Sequence, residues 1–428
     1  MKRSIAILIG CIAVLTLADS IVSASYFGRF DIGAFSVIPD DPEIDARASG
    51  TARFTAGWSA PGDSWAVYAD MRFRGESGAE TGPHYLVHDL RADYGLGKSL
   101  LAGSIGFCRM GEVTGIGGVA GGQIQLNPIA GLRIGAFGGG NPFTLEGHTD
   151  IDGTKFGAYA TFRSTADLQM GIAFSSIRNT DQTIDERDII VFDSQLSLAS
   201  RLYFTHFGEI TLSDDDESAR LSYYYANARL DATKKLRLSL AYNHFKYLPY
   251  IQFRDEIEFY DQDGPPAYSR IAEYATDALS PRIEYKVTSE WRVYARYRHQ
   301  TTDYFSGSDT DQWTGGVSCS DLFRSGIAFN GSFGSTDRGD RDYSNAYVSF
   351  SRDLGRTMNL TVGYAIDRFN RPESLFVSRH QESTQRVSAS FWYRLNQSVN
   401  LLVDYEKSFA DSDEGDHQIL FNVQYRLR

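Results

Sequence analysis

Residues 417–427 of the chain, HQILFNVQYRL, carry the pattern that decides the fold. One face of this segment is apolar and contains Ile419, Phe421, Val423, Tyr425 and Leu427, and the other face is polar and contains Gln418, Asn422, Gln424 and Arg426. Strict alternation predicts a β-strand with one face towards an apolar medium. Similar segments of about ten residues recur through nearly the whole chain, as the strands of membrane barrels do.

The connections between these segments alternate between short and long. Tight connections contain turn-formers, as in Thr288-Ser289-Glu290 and Asn396-Gln397-Ser398, whereas the alternate ones are longer and more polar, as in residues 139–154 and 367–384. The fold class is therefore predicted to be all-β. We expect a single antiparallel transmembrane β-barrel of about 22 strands, within a range of roughly 18–22, with short periplasmic turns and longer extracellular loops.

The N-terminus has the composition of a secretory signal peptide. Lys2 and Arg3 precede an apolar stretch at 5–17, and Val22-Ser23-Ala24 is a small-residue cleavage site. We therefore predict a cleaved signal peptide at 1–24 and a barrel at 25–428. Within the barrel, residues 246–276 form the longest connection, which we expect to be an extracellular loop or a loop that constricts the lumen.

The formal charge of −12 is unevenly distributed. Acidic residues concentrate in the long connections, where the densest groups are Asp214, Asp215, Asp216 and Glu217, and Asp411, Asp413, Glu414 and Asp416. One interpretation is that these loops are acidic for solubility. Another is that they bind lipopolysaccharide through divalent cations, or bind a basic partner.

Basic residues concentrate instead on the polar face of neighbouring strands. The predicted basic stripe consists of Arg229, Arg237, Arg282, Lys286, Arg292, Arg296 and Arg298. A charge that faces the bilayer midplane costs about 2–4 kcal/mol, so these side chains are expected to face the lumen. Glu284 lies among them as a possible counter-charge, and the pattern alone leaves open whether acids neutralise the stripe.

Motifs for catalysis and for metal or cofactor binding are absent or incomplete. Gly97-Lys98-Ser99 resembles the end of a phosphate-binding loop, but the first glycine of that motif is missing. His84 and His88 have a helical metal-ligand spacing on a segment predicted to be a strand. We therefore predict no enzyme, metal, cofactor or nucleic-acid partner. Cys108 and Cys319 are expected to be unpaired, small apolar residues.

The signal peptide and the alternating segments, which end in Phe421-Asn422-Val423-Gln424-Tyr425-Arg426-Leu427-Arg428, resemble Gram-negative outer-membrane β-barrels of the porin type. The resemblance covers essentially the whole mature chain, although such barrels usually end on an aromatic residue and this chain ends on Arg428. It implies an outer-membrane location and a channel for small hydrophilic solutes, which the basic stripe would bias towards anions.

Tyrosine- and arginine-rich strands such as residues 223–230 also resemble the barrels of porin–cytochrome electron conduits. In those barrels the lumen holds a multihaem cytochrome, so this second resemblance implies a sheath for such a partner. A third hypothesis is a structural or adhesive barrel that acts through its acidic loops.

Overall fold

A computed structural model describes residues 25–39, 47–60, 65–76, 84–95, 99–145, 148–165, 167–178, 186–212, 219–247, 274–303, 309–338, 342–371, 380–410 and 416–427. The predicted signal peptide at 1–24 and residues 248–273 of the longest connection lie outside the described residues. Of the eight predicted acidic loop residues, only Asp416 is described; it is the first residue of the last strand.

The described residues form 22 strands. Their bounds are β1 Ser25–Pro39, β2 Arg47–Ser59, β3 Trp65–Glu76, β4 His84–Tyr94, β5 Leu101–Arg109, β6 Gly118–Ile129, β7 Leu132–Leu145, β8 His148–Thr165, β9 Leu168–Arg178, β10 Arg187–Leu198, β11 Leu202–Leu212, β12 Ala219–Asp231, β13 Leu236–Tyr247, β14 Tyr274–Lys286, β15 Trp291–Thr302, β16 Thr310–Cys319, β17 Ile327–Asp337, β18 Asp342–Asp353, β19 Met358–Arg371, β20 His380–Arg394, β21 Val399–Ala410 and β22 Asp416–Leu427. A single short 3-10 turn at Leu322–Arg324 is the other regular element described.

The sheet closes on itself to form a barrel. Each strand pairs antiparallel with the next in sequence, and β1 pairs with β22 from Gly28 opposite Leu427 to Pro39 opposite Asp416. Closure removes the free sheet edges that an apolar medium would not tolerate. The predicted fold class and strand number are therefore confirmed.

The outer surface of the barrel is apolar. Large side chains on alternate strand positions are exposed there, and examples from around the barrel are Ile32, Ile105, Ile172, Leu240, Ile283, Phe333, Val362 and Phe421. The intervening positions face the lumen and carry most of the charged strand residues. This arrangement is that of strands that span a lipid bilayer. Among the described residues, no helix is long and apolar enough to cross a membrane.

The two ends of the barrel differ. At one end, which we name the short-turn rim, lie both ends of the described chain and tight turns such as 199–201, 232–235 and 395–398. The other end, the long-loop rim, carries the longer connections. Boundaries differ from expectation in places: residues 139–154 were expected to be a long connection, but β7 continues to Leu145 and β8 begins at His148, because strand pairing extends beyond the alternating pattern.

The two cysteines of the barrel are unpaired and buried, as expected. Cys108 in β5 is 2% exposed and Cys319 in β16 is 1% exposed. They lie on strands far apart in the order of the sheet. Both therefore act as small packing residues.

Candidate functional site: the lumen

The basic stripe lies on the lumen-facing side of four consecutive strands, β12 to β15. The outward positions of these strands are apolar and exposed, as at Leu240, Ile283 and Val293. The stripe residues occupy the alternate positions, and they are Arg229, Arg237, Arg282, Lys286, Arg292, Arg296 and Arg298. The strand register thus brings all seven to one wall.

The register places like charges directly opposite each other within this stripe. Arg282 lies opposite Arg296, and Lys286 lies opposite Arg292, on β14 and β15. Like charges in directly opposed positions destabilise a sheet. Their presence on a lumen wall is therefore unfavourable for folding unless a mobile anion reduces the repulsion.

Acidic side chains neutralise only part of the stripe. Glu284 accepts a bond from Arg282 at 3.3 Å, and Asp231 accepts one from Arg237 at 2.6 Å. Arg292 and Lys286 form no ion pair with any residue that the structure describes. The wall between β12 and β15 therefore retains positive charge.

Neutral partners also orient several guanidinium groups of the stripe. Arg229 lies 3.9 Å from the ring centre of Tyr203, and Arg282 lies 4.5 Å from that of Tyr294. Arg298 donates to the Gln300 side-chain oxygen at 2.8 Å. Contacts of this kind hold arginines in place without cancelling their charge.

Two arginines elsewhere on the lumen wall are more fully paired with carboxylates. Arg91 of β4 contacts both Asp89, at 2.8 Å, and Asp93, at 3.1 Å. Arg386 of β20 donates to Asp367 of β19 at 2.7 Å. Arg292 of β15 differs from both, since it has no carboxylate partner among the described residues.

A second feature of the lumen is the connection between β5 and β6, residues 110–117, which we name the inserted segment. Val113 is 0% exposed and Ile116 is 1% exposed, although neither belongs to a strand. They pack in a cluster of lumen-facing residues, which includes Cys108, Val119, Phe137, Tyr159, Ala173, Ile189 and Val191. The segment therefore lies inside the barrel and covers the wall from β7 to β10.

Polar contacts fix the inserted segment to this wall. The backbone N–H and the hydroxyl of Thr114 donate to Asp193 of β10 at 3.1 and 2.8 Å. Arg133 of β7 donates to Glu112 at 2.9 Å, and the buried Lys155 ammonium of β8 donates to the carbonyl oxygen of Ile116. Three strands thus hold one short segment, and each such charged hydrogen bond is worth about 1.5–3 kcal/mol.

Gly115 allows the segment to lie close to the wall. Its φ of +93° is a conformation that side chains disfavour, and a Cβ there would lie 2.6 Å from the Phe207 ring. Gly111, in the same segment, has open space around the position of its Cβ. Close packing of the segment therefore requires a glycine at position 115 but not at position 111.

Substitution of Gly115 by alanine is expected to displace the inserted segment and to lower the free energy of unfolding by about 1–3 kcal/mol. The matched change Gly111→Ala is expected to alter it by less than about 0.5 kcal/mol. Urea titration of each variant in lipid vesicles, followed by tryptophan fluorescence, measures both. Equal stability of the two variants would show that the segment is not packed in this way.

A cavity of about 880 Å³ lies between the inserted segment and the short-turn rim. Its polar lining includes Arg91, Arg109, Glu112, Arg133, Arg163 and Gln169. The guanidinium of Arg163 donates to the Gln169 side-chain oxygen at 3.1 Å. The lumen thus has a polar compartment on this side of the segment.

The sequence predicted the basic stripe but not the inserted segment. The alternating pattern predicts no element inside the barrel at residues 110–117, which lie between the end of β5 at Arg109 and the start of β6 at Gly118. The available signal was the pair of large apolar residues Val113 and Ile116 among three glycines between two strands. In the described part of the chain, no group of three or more His, Cys, Asp or Glu side chains is placed to hold a metal ion.

The chain is similar in fold to several solved structures, and no protein-family model or curated protein sequence matches it. OccAB4 of Acinetobacter baumannii has 9% identity and a TM-score of 0.45, covering 95% of this chain and 99% of that one. OccK3 (OpdO) of Pseudomonas aeruginosa has 8% identity and a TM-score of 0.46, with coverage of 94% and 96%. A BenF-like porin of Pseudomonas fluorescens Pf-5 has 9% identity and a TM-score of 0.46, with coverage of 95% and 99%. At these identities the likeness is one of fold alone.

Proposed function

We propose that this protein is an outer-membrane channel through which small hydrophilic solutes diffuse, with a preference for anions. The observation that carries the proposal is the division of the lumen wall. The inserted segment covers β7 to β10, whereas the basic side chains on β12 to β15, such as Arg292 and Arg296, are exposed to the lumen. The lumen thus combines a narrowing element with a charged wall.

The preference for anions follows from electrostatics. Arg282, Arg296, Lys286 and Arg292 face each other across β14 and β15, and two carboxylates of this wall are already engaged by Arg237 and Arg282. In a narrow polar passage with low-dielectric walls, such charge raises the local concentration of anions. An anion beside opposed cations also relieves their repulsion.

The inserted segment favours an unfilled channel over a sheath for a multihaem cytochrome. A cytochrome that filled the lumen would need the whole cross-section of the barrel. The inserted segment already occupies part of that cross-section and is held there by contacts that bury Val113 and Ile116. The resemblance to electron-conduit barrels therefore supports a sheath less strongly than the inserted segment supports a channel. We retain the proposals that the chain is exported with a cleaved signal peptide, that it is not an enzyme, and that its acidic loops contact lipopolysaccharide.

Planar-bilayer recording from the purified protein tests the proposal. Discrete conductance steps are expected, with a reversal potential on the anion-selective side in a potassium chloride gradient. Selectivity should weaken at high salt, since ions screen the stripe. Folded protein that gives no conductance would overturn the channel, and haem that copurifies from native membranes would support the sheath.

A further inference from the structure

Six consecutive turns at the short-turn rim share an unusual composition. These turns join β10 to β11 and every second pair of strands up to β20 and β21, and all of their residues are described. Exposed large apolar side chains lie in or beside five of them, namely Leu198, Val287, Phe323, Leu354 and Leu395. Leu198, Val287, Leu354 and Leu395 continue the alternating rows of side chains that face outward on the barrel.

The same turns carry basic side chains. They are Arg201, Lys234, Lys235, Arg324 and Arg356, all of them exposed. None of the five forms an ion pair with a residue in the described part of the chain. We name these five residues and the five apolar side chains together the basic rim.

The acidic groups of these turns are engaged within their own turns. Asp321 accepts a bond from the backbone N–H of Gly326 at 2.8 Å, and Asp353 accepts one from the Asn359 side-chain amide at 2.8 Å. Glu290 accepts bonds from the hydroxyl groups of Ser289 and Thr288, which hold its pKa below the ordinary value, and the charge of Arg324 in the next turn adds a smaller effect. The carboxylates thus shape the turns, and the cations, none of which is ion-paired among the described residues, can bind a ligand outside the chain.

The turn between β16 and β17 adds a sign of strain. Phe323 and Arg324 have φ values of +54° and +59°, a left-handed conformation that bulky residues rarely adopt. Phe323 is 89% exposed, so packing within the chain does not compensate for this conformation. Strained residues held in an exposed position commonly serve a contact with something outside the chain.

We propose that the basic rim binds the headgroups of anionic phospholipids in the leaflet at the short-turn end of the barrel. Four of its five apolar side chains continue the outward apolar surface and would enter the acyl region, while the neighbouring Lys and Arg groups would lie at the level of the phosphates. Apolar and cationic side chains in this combination are typical of surfaces that lie in a membrane interface. Continuity with the outward apolar surface favours a lipid over an acidic protein.

Lipid retention tests the proposal on the full-length protein. The wild-type barrel is reconstituted in equal amounts of phosphatidylglycerol and phosphatidylcholine, purified again in mild detergent, and its bound lipids are counted by mass spectrometry. We expect a several-fold enrichment of phosphatidylglycerol that falls at high salt. The variant in which Arg201, Lys234, Lys235, Arg324 and Arg356 are all changed to Gln is expected to retain the two lipids about equally.

Two further variants separate the effect of the rim cations from the effects of lumen charge and of the exposed Phe323 side chain. Changing Arg296 and Arg298 to Gln removes lumen charge further along β15 from this rim and should leave the enrichment unchanged. Phe323→Ser should lower retention of both lipids without changing their ratio. If the five-residue variant does not fold, Lys234→Gln with Lys235→Gln is expected to lose part of the enrichment.

Equal retention of the two lipids by the wild type, or enrichment that survives loss of the five basic residues, would overturn the proposal. An acidic protein would then be the better occupant of the basic rim. The lipid ratio is read without any current, so its failure is distinct from failure of the channel proposal.

Discussion

A barrel in which residues 111–116 are replaced by a short Gly-Ser link is expected to conduct more current than the wild type. The replacement removes Val113 and Ile116, which are fully buried against the lumen wall, and with them the body of the inserted segment. A barrel of 22 strands encloses a wide lumen when nothing lies within it, so we expect the single-channel conductance to rise about twofold or more. Planar-bilayer recording of both proteins at equal salt measures the change.

Two controls make this result interpretable. The heat-dependent shift in gel mobility shows whether the shortened barrel is still folded, since lost burial of each large apolar side chain costs about 1.5–3 kcal/mol. Asp193→Ala removes both contacts to Thr114 and should increase current fluctuations. Asp404→Ala, on the lumen face of β21, is the matched change and should not. Unchanged conductance in a folded, shortened barrel would place the constriction elsewhere, for example in the connection at 246–276.

Changing Arg292, Arg296 and Arg298 together to Glu is expected to convert the channel from anion to cation selectivity. The three side chains lie on the lumen face of β15, and Arg292 and Arg296 are opposite further cations on β14. Each substitution replaces a positive with a negative charge, so the wall that attracts anions becomes one that repels them. The reversal potential in a potassium chloride gradient should change sign.

Changing the same three residues to Gln provides the graded control. Its reversal potential is expected to lie between those of the wild type and the Glu variant, because the charge is removed and not inverted. The difference among the three proteins should shrink as the salt concentration rises. A reversal potential that is the same in all three proteins would exclude the basic stripe as the source of selectivity.

The sequence by itself determined the fold class and the two faces of each strand. Alternation as in Ile419, Phe421, Val423 and Tyr425 requires only that successive side chains of a strand point to opposite faces. The cost of charge in lipid then assigns Arg292, Arg296 and Arg298 to the lumen, without knowledge of any neighbour. These properties depend on a single strand and its surroundings, so a local pattern is enough to predict them.

Only the tertiary structure decided which part of the chain narrows the lumen and which charges lie opposite each other on its wall. The inserted segment lies inside the barrel because Asp193 accepts hydrogen bonds from Thr114, which is 79 residues earlier in the chain. It packs close to the wall because Gly115 has no side chain that would clash with the Phe207 ring. The opposed pairs Arg282–Arg296 and Lys286–Arg292 likewise depend on the register of two strands. Contacts between distant strands follow from closure and register, which the periodicity of one strand does not specify.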